Sequence, residues 1–450
     1  MNFPVWDVPL IGGGLLIGII AILHVYVAHF AVGGGLYLVW TEARAVRAQD
    51  DALLSYVRRH SSFFVLVVLV FGAVSGVGIW WSIGLVHPPA TSTLIHTFVW
   101  GWAIEWVFFF VEIAAAFVYY YGWDRLDRRT HLAVGWIYFG AAWLSLFVIN
   151  GILTFMLTPG RWLETRTFAD AFFNPSMLPS AVIRTASAIA LAGLYALLTA
   201  SVIPDEPLRH RVTRYSAAWV LLGAVIIPIA GAWYIGSIPA AAREISMGGA
   251  PAVTIFAGLS ILLSVLVVGI TYLGPFRHPH FSNVLLAGLL AMLGLGVTGV
   301  TEWVREAVRK PYVIYGYMYS NGILKEQVSR LTETGVLPVA KWVKTAAAEP
   351  GRELDAGAEV FRVSCRNCHT IDGYNGIRLM VKGWREDFID FQLSRLDELK
   401  GFMPPFAGTP AERHALARWL LEVGRGAPFT MPRVPASPPG GKGAAGEAGR

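Results

Sequence analysis

Residues 61–86 read SSFFVLVVLVFGAVSGVGIWWSIGLV and contain no charged side chain. A helix crosses the hydrocarbon core of a bilayer with roughly 20 apolar residues, so this stretch predicts a membrane span. Seven further stretches are long and apolar enough, at about residues 10–40, 93–121, 132–157, 181–203, 214–237, 252–274 and 282–308. The sequence therefore predicts an all-α protein, a polytopic membrane bundle of about eight transmembrane helices followed by a small helical domain.

The composition excludes a chain of several soluble domains. Hydrophobic residues make up 55% of the 450 residues and charged residues only 15%, whereas soluble domains carry about 25% charged residues. The only two cysteines are Cys365 and Cys368, which excludes a disulfide scaffold and a four-cysteine zinc site. The net charge of +6 comes mostly from short connections between apolar stretches, so membrane lipid is the expected partner and nucleic acid is not.

The basic residues of the connections predict the orientation, because Lys and Arg are retained on the cytoplasmic side. The connections 41–60, 122–131, 204–214 and 275–281 carry eleven Lys and Arg, against three in 87–92, 158–180 and 238–251. The N-terminus is therefore expected outside, and eight crossings return the C-terminus to the same side. The first 20 residues have no basic segment, so the first helix is interpreted as a retained span of a bacterial inner-membrane protein.

The character of the chain changes near Lys310. Residues 1–310 form the predicted membrane domain, 311–350 a connector and 351–425 a small soluble domain. Residues 426–450 are rich in Pro, Gly and Ala, a composition typical of disorder.

The cysteines belong to the motif C-R-N-C-H at residues 365–369. C-x-x-C-H attaches a c-type haem, because Cys365 and Cys368 form thioethers and His369 becomes an axial ligand of the iron. The alternative is a thioredoxin-like C-x-x-C that happens to precede a histidine.

Three neighbouring features favour covalent haem c. A helical pattern over 356–364 leads into the motif, Gly373 follows shortly after it, and Met403, in Met-Pro-Pro, can supply the second axial ligand. A second helical pattern over 410–423 places Leu416, Trp419 and Leu420 on one face. This domain resembles a class I cytochrome c domain. Haem attachment to such motifs takes place outside the bacterial cytoplasmic membrane, which agrees with the predicted periplasmic C-terminus.

Ionisable side chains within membrane spans are costly and indicate function. They are His24 and His29 in the first span, His96, Glu105 and Glu112 in the third, and Glu302, Arg305 and Glu306 in the eighth. Glu105 and Glu112 are seven residues apart, so they share a helix face about 10 Å apart and are candidates for a catalytic proton path.

Each of these residues has a second interpretation. His24 either ligates a haem or bonds a neighbouring helix, and residues 33–35, all glycine, are expected to leave space for a flat ligand. Glu302 either binds a haem or pairs with Arg305. His24 and His29 are five residues apart, about 140° around a helix, so they are not expected to face the same haem.

The membrane domain resembles subunit I of the cytochrome bd quinol oxidases over roughly residues 10–312. The matching segments are Leu23-His24-Val25 through Gly33 to Glu42, Glu112 followed by Gly122-Trp123-Asp124-Arg125-Leu126, Asn150-Gly151, Asn174-Pro175 and Arg309-Lys310-Pro311-Tyr312. In that family the histidine of the first helix ligates a high-spin haem, which implies this role for His24. Glu112 matches a family carboxylate associated with proton delivery, and a second membrane subunit is implied as partner.

Several family features are missing. Arg184 stands where the family has the histidine ligand of its low-spin haem b, and Phe256 where the methionine on the other side of that haem falls. Arginine stays protonated and cannot bind iron. The long quinol-binding loop is reduced to 238–251, and the family's ninth helix is absent.

Two carboxylates of the family align with residues of this chain that are not acidic. The glutamate ligand of the eighth helix aligns with Gly299, but Glu302 lies one turn further on and could substitute. Another family carboxylate aligns with Ile104, beside Glu105.

These features predict a bd-oxidase-like membrane haem oxidoreductase, whose cofactors are the covalent haem c and one or two high-spin haems of b or d type. Electrons are expected from a periplasmic cytochrome or quinol through the fused cytochrome c to a haem near His24, where oxygen is reduced. The alternatives are a conduit between the quinone pool and periplasmic cytochromes, without oxygen chemistry, and a haem sensor or assembly subunit.

Overall fold

The computed structural model describes residues 5–345, 351–399 and 401–426. Eight of its helices are long and apolar enough to cross a membrane, which confirms the predicted fold class. They are α1 (Gly12–Ala48), α2 (Asp51–Val86), α3 (Val99–Tyr121), α4 (Arg128–Phe155), α5 (Met177–Ala200), α6 (Glu206–Ser237), α7 (Pro251–Phe276) and α8 (Val284–Ala307). The predicted tail lies outside the described residues apart from Gly426.

Shorter elements connect these helices and build the C-terminal part. The short helices are Pro88–Thr97, Trp162–Thr165, Phe168–Phe172, Ala240–Glu244, Ile245–Gly249, Pro279–Phe281, Lys325–Gln327, Val328–Thr334, Ile377–Met380 and Leu396–Leu399. The soluble part contains α9 (Glu353–Ser364), α10 (Glu386–Leu393) and α11 (Pro410–Gly424), and an antiparallel pair of strands, β1 (Tyr312–Ile314) and β2 (Met318–Tyr319). Residues 66–72 and 272–276 are π-helical turns within α2 and α7.

The spanning helices extend further into the connections than hydropathy predicts. Helix α1 continues to Ala48, and α2 begins at Asp51 after Asp50, whose side chain accepts a hydrogen bond from the Leu53 amide. The connection predicted at 41–60 is therefore almost entirely helical. Charged residues at a helix end lower the hydropathy of a window without ending the helix, which is why the pattern placed these boundaries too early.

The predicted helix 93–121 is two helices. Residues 88–97 form the first, and α3 begins after Phe98, whose backbone leaves the helical region. The Phe98 ring is fully buried and packs edge-on against Phe155 at 5.0 Å. Burial of this ring accompanies the break, which the apolar pattern alone could not indicate.

The glycines of α1 serve close packing, and the expectation that they leave space for a ligand is wrong. A Cβ on Gly33 would overlap the Ala188 carbonyl oxygen, and one on Gly35 would overlap the Tyr138 ring. Small residues let helix backbones approach in a membrane, where packing replaces the hydrophobic driving force. The contacts therefore bring α1 against α5 and α4.

The chain forms two compact units. One consists of Gly18–Trp80 and Leu94–Arg309 and contains most of the helix bundle. The other groups residues 310 onward with residues up to 17 and with 81–93, which include the first turns of α1 and the last turns of α2.

The C-terminal domain has its own core and incorporates residues before α9. The Phe361 and Trp419 rings are 4.8 Å apart between α9 and α11. The buried Glu412 carboxylate accepts hydrogen bonds from the backbone amides of Val336 and Leu337, at 3.0 and 2.9 Å. Segment 336–343 is thereby held to the domain as part of its hydrophobic core.

Candidate functional site

The C-x-x-C-H residues form a helical turn directly after α9. The backbone amides of Cys368 and His369 donate to the Cys365 carbonyl, at 3.1 and 3.0 Å. The turn keeps both thiols and the imidazole within five consecutive residues. It is the local geometry that covalent haem attachment requires, since all three groups must reach one porphyrin.

The tautomer of His369 is fixed by a local hydrogen bond. Its Nδ1 lies 3.1 Å from the Asn375 carbonyl oxygen, which can only accept, so Nδ1 carries the proton and the Nε2 lone pair is left for iron. Asn375 has a positive φ of 54° and its side-chain amide donates to the Cys368 carbonyl at 2.6 Å. Burial lowers the pKa of His369, which favours the neutral, iron-binding form.

The thiols do not have the character of a redox-active pair. The two cysteines are not joined, and burial together with the neighbouring Cys368 raises the pKa of the Cys365 thiol to about 12. Reactive C-x-x-C pairs depend on a lowered thiol pKa instead. The thioredoxin-like alternative therefore fits Cys365 poorly.

Large apolar side chains between the motif and α11 are exposed. They are Leu379, Met380, Phe388, Phe391 and Phe402, and Met403 is half-buried. A single exposed apolar residue is common, but such a group within a small domain indicates a surface that something apolar covers. A porphyrin is apolar and of suitable size, so the residues present fit a haem.

The motif is attached to the start of the chain. The Tyr374 amide donates to the Leu10 carbonyl at 2.8 Å, and the Arg366 guanidinium donates to the Val5 carbonyl at 3.1 Å. Gly373 allows this approach, because a Cβ there would overlap the Leu10 carbonyl oxygen. The segment before α1 is therefore part of the support of the motif.

His24 lies in α1 and is held by α2. Its Nδ1 is 3.1 Å from the Ser75 hydroxyl, and that hydroxyl donates to the Phe71 carbonyl at 2.7 Å. With the serine proton committed to a carbonyl, His24 Nδ1 donates and its Nε2 keeps a lone pair. The arrangement repeats that of His369 and fits an iron ligand in the membrane body.

His29 has a different environment. It is buried, its Nδ1 lies 2.8 Å from the Val25 carbonyl oxygen, and within the described residues its Nε2 has no hydrogen-bond partner. The tautomer is again fixed, but by a bond within α1 itself.

Glu105 and Glu112 both face α4. Glu105 accepts a hydrogen bond from the Ser145 hydroxyl at 2.9 Å. The Tyr138 hydroxyl lies 3.2 Å from the Glu112 carboxylate and 3.1 Å from the Ala31 carbonyl oxygen, so two acceptors share its one proton. The two carboxylates thus share a face of α3, as the seven-residue spacing predicts. Each carboxylate therefore has a hydroxyl of α4 beside it.

Glu302 forms an ion pair with Arg305 in α8. The Glu302 carboxylate lies 2.8 and 2.7 Å from two guanidinium nitrogens of Arg305. Glu306 pairs with Arg309 in the same way one turn further on. The buried Arg184 lies within electrostatic range of Glu302.

Arg184 and Phe256, which the resemblance aligns with ligands of a low-spin haem, both pack within the protein. Arg184 is buried, and the ring of Phe256 stacks on the ring of Trp303 at a centroid distance of 4.3 Å. A cationic side chain and an aromatic pair therefore occupy places where the resemblance would put ligands of a low-spin haem.

Sequence reasoning missed the partners of these residues. Ser75, Tyr138 and Ser145 each bond a predicted site residue from another helix. Glu42 and His131, assigned to connections, are buried and bonded to each other at 2.7 Å. One signal was present: His131, Tyr138 and Ser145 have the same seven-residue spacing as Glu105 and Glu112.

Comparison with known proteins gives two family matches. Residues 15–241 match the family model described as cytochrome bd terminal oxidase subunit I. Residues 352–420 match that described as cytochrome C oxidase, cbb3-type, subunit III. A search of curated proteins finds no match.

Among solved structures, a similar fold occurs in the bd oxidase from Geobacillus thermodenitrificans. The TM-score is 0.57 at 18% sequence identity, and the alignment covers 68% of this chain and 88% of that one. At this identity the likeness shows a shared fold.

Proposed function

Since the chain belongs to the cytochrome bd terminal oxidase subunit I family, we propose that it is a membrane haem oxidoreductase that receives electrons through its fused cytochrome c domain and reduces oxygen. The observation that carries the proposal is His24, whose Nδ1 is held by Ser75 so that Nε2 is available to iron. When bound, haem c supplies one-electron transfer and a high-spin haem supplies oxygen binding and reduction.

The cytochrome c domain would hold its haem through Cys365, Cys368, His369 and Met403. Support comes from the fixed Nδ1–H of His369 and from the helical turn that keeps Cys365, Cys368 and His369 together. A thioether sulfur is a weak donor, so Met403 keeps the potential high enough for this domain to accept electrons from a periplasmic cytochrome or quinol.

In the membrane body, His24 would hold a haem of b or d type. Glu302 lies in an ion pair with Arg305, so its role is to set the charge near a haem, and direct ligation requires that pair to open. Glu105 and Glu112 hold protons next to the hydroxyls of Ser145 and Tyr138 and deliver them toward the reduction site.

Electrons enter through the cytochrome c domain because the low-spin haem route of the family is lost. Arg184 is buried where a histidine ligand is expected, and arginine cannot bind iron. The segment 238–251, where the family has its quinol-binding loop, is short. The fused domain replaces these features.

The protein is a multi-pass membrane protein, and we place it in the bacterial inner membrane with the N-terminus and the cytochrome c domain in the periplasm. The count of basic residues in the connections supports this orientation. Apolar faces such as those of Ile255, Ile261 and Val265 on α7 are exposed to lipid or to a second membrane subunit.

Three measurements on the purified protein test the proposal. A pyridine haemochrome assay counts haem c and non-covalent haem per chain, and carbon monoxide difference spectra of the reduced protein detect a high-spin haem. Oxygen uptake is then measured with reduced cytochrome c and with quinol. We expect non-covalent haem, a carbon monoxide response and oxygen uptake with cytochrome c.

The variant His24→Ala is expected to lose the carbon monoxide response while haem c is retained. His278→Ala, at an exposed histidine in the connection before α8, is the matched control. A His24→Ala protein that kept every non-covalent haem would overturn the assignment. Cytochrome c reduction by quinol without oxygen uptake would instead indicate an electron conduit.

A further inference from the structure

A buried hydrogen-bonded cluster joins the ends of α1, α3 and α4. Glu42 and His131 are both fully buried. The Glu42 carboxylate bonds His131 Nδ1 at 2.7 Å through Oε1 and accepts the Tyr119 hydroxyl proton at 2.7 Å through Oε2. The cluster belongs to neither the haem sites nor the carboxylate positions described above.

The hydrogen bonds determine how many protons this cluster holds. His131 Nε2 lies 2.9 Å from the Tyr119 carbonyl oxygen, which can only accept, so Nε2 carries a proton. The bond between Nδ1 and Glu42 needs a proton as well. Glu42 and His131 therefore share one proton, as a neutral acid beside an imidazole or as a carboxylate beside an imidazolium.

The cluster also has a cationic neighbour. Arg128 places a guanidinium nitrogen 3.7 Å from Glu42 Oε1. Trp123 packs edge-on against His131 at 4.7 Å and lies under the Arg128 guanidinium at 5.4 Å. Asp127, next in the chain, directs its carboxylate to the first amides of α4 at 3.0 and 3.1 Å.

The cluster is the first step of a regular series. On α3, Tyr119, Glu112 and Glu105 are seven residues apart, and on α4 so are their partners His131, Tyr138 and Ser145. Seven residues are nearly two turns, so successive polar pairs lie about 10 Å apart along the same helix interface. A gap of this length requires bridging water between the pairs.

We propose that Glu42 and His131 form a proton-holding site that loads Glu112 from the side of the short basic connections. One proton leaves the shared bond for the Glu112 carboxylate, and one proton from cytoplasmic water replaces it, so charge and atoms balance and no electron moves. The direction of transfer rests on the proposed function, since a reduction centre must consume the protons.

The experiment compares Glu42→Gln with wild type. A glutamine amide can donate to His131 Nδ1 and its oxygen can accept from Tyr119, so the bonds are kept while the shared proton is removed. Electrons are injected into the holoprotein from a photoexcited ruthenium complex, and a pH dye in weakly buffered micelles reports proton uptake. We expect uptake to slow at least tenfold, with haem spectra and thermal unfolding unchanged.

Glu206→Gln, at an exposed glutamate near the start of α6, is the matched control and is expected to take up protons at the wild-type rate. Wild-type uptake in Glu42→Gln would overturn the proposal and indicate that the cluster only fastens the helices. Absence of reduction-linked uptake in wild type would overturn it too.

A second variant covers the case in which Glu42→Gln does not fold. Tyr119→Phe removes only one hydrogen bond from the carboxylate, so the pH at which uptake is half-maximal is expected to rise. An unchanged pH profile would contradict the proposal. Because uptake is measured without oxygen, a protein that does not reduce oxygen fails the proposed function and still tests this site.

Discussion

The two histidines proposed as iron ligands are oriented by the same chemistry over different distances along the chain. His369 is fixed by the Asn375 carbonyl, six residues later, whereas His24 is fixed by the Ser75 hydroxyl, 51 residues later in another helix. The cytochrome c motif thus contains its own orienting group in a short segment. The membrane site depends on how α1 and α2 pack, and it is sensitive to changes in either helix.

The largest effect is expected at the motif. Replacement of Cys365 and Cys368 together by serine removes both thioether sulfurs, so covalent haem should be lost completely. Haem staining after denaturing electrophoresis measures this, and Ser364→Ala, next to the motif, should keep the stain. Covalent haem in the double variant would rule out the attachment site.

Variants of Ser75 and Asn375, which hold His24 and His369, test this difference in how the two histidines are oriented. Ser75→Ala removes the only side chain bonded to His24 Nδ1 among the described residues, and loss of such a partner typically weakens metal binding 10–100-fold. Asn375→Ala keeps the backbone carbonyl that holds His369, so haem c should be retained. Titration of the haem-depleted membrane protein with haem, followed by absorbance, measures the first affinity.

Equal haem affinity in wild type and Ser75→Ala would contradict the contrast. Loss of haem c in Asn375→Ala would instead assign the support of the motif to the Asn375 side chain, which donates to the Cys368 carbonyl.

Variants of two methionines in the cytochrome c domain test which of them is the axial ligand of haem c. Met403→Ala should lower the midpoint potential and abolish the near-infrared band of methionine-ligated ferric haem, because a weak donor that raises the potential is removed. Met380→Ala, at an exposed methionine of the same domain, should leave both unchanged. Loss of the band in Met380→Ala but not in Met403→Ala would identify Met380 as the ligand.

A smaller effect, on the stability of the C-terminal domain, is expected when the contact between Glu412 and residues 336–337 is removed. Glu412→Ala leaves the buried amides of Val336 and Leu337, and the amide of Thr409 that caps α11, without an acceptor. The loss should be roughly 3 kcal/mol of the free energy of unfolding. Denaturation followed by haem c absorbance measures it. Glu422→Ala, at a carboxylate paired with Arg425 on the surface, should change stability by about 0–1 kcal/mol. Equal effects in the two variants would show that segment 336–337 adds no stability.

The sequence by itself determined the eight spans. Burial in lipid requires long apolar stretches, and the length and composition of a stretch are visible in the residues alone. It also predicted the C-x-x-C-H motif, whose His369 lies six residues before the Asn375 carbonyl that orients it. For the same reason it indicated that Glu105 and Glu112 share a helix face, since both belong to one helix.

Only the tertiary structure decided which groups meet these residues. Glu42 and His131 are 89 residues apart and both lie at helix ends, where hydropathy assigned them to exposed connections. Packing of α1 against α4 and α3 buries them and brings the Glu42 carboxylate within 2.7 Å of His131 Nδ1. The glycines of α1 likewise acquire their meaning from the backbone and side chains of other helices, because close approach is a property of two helices together.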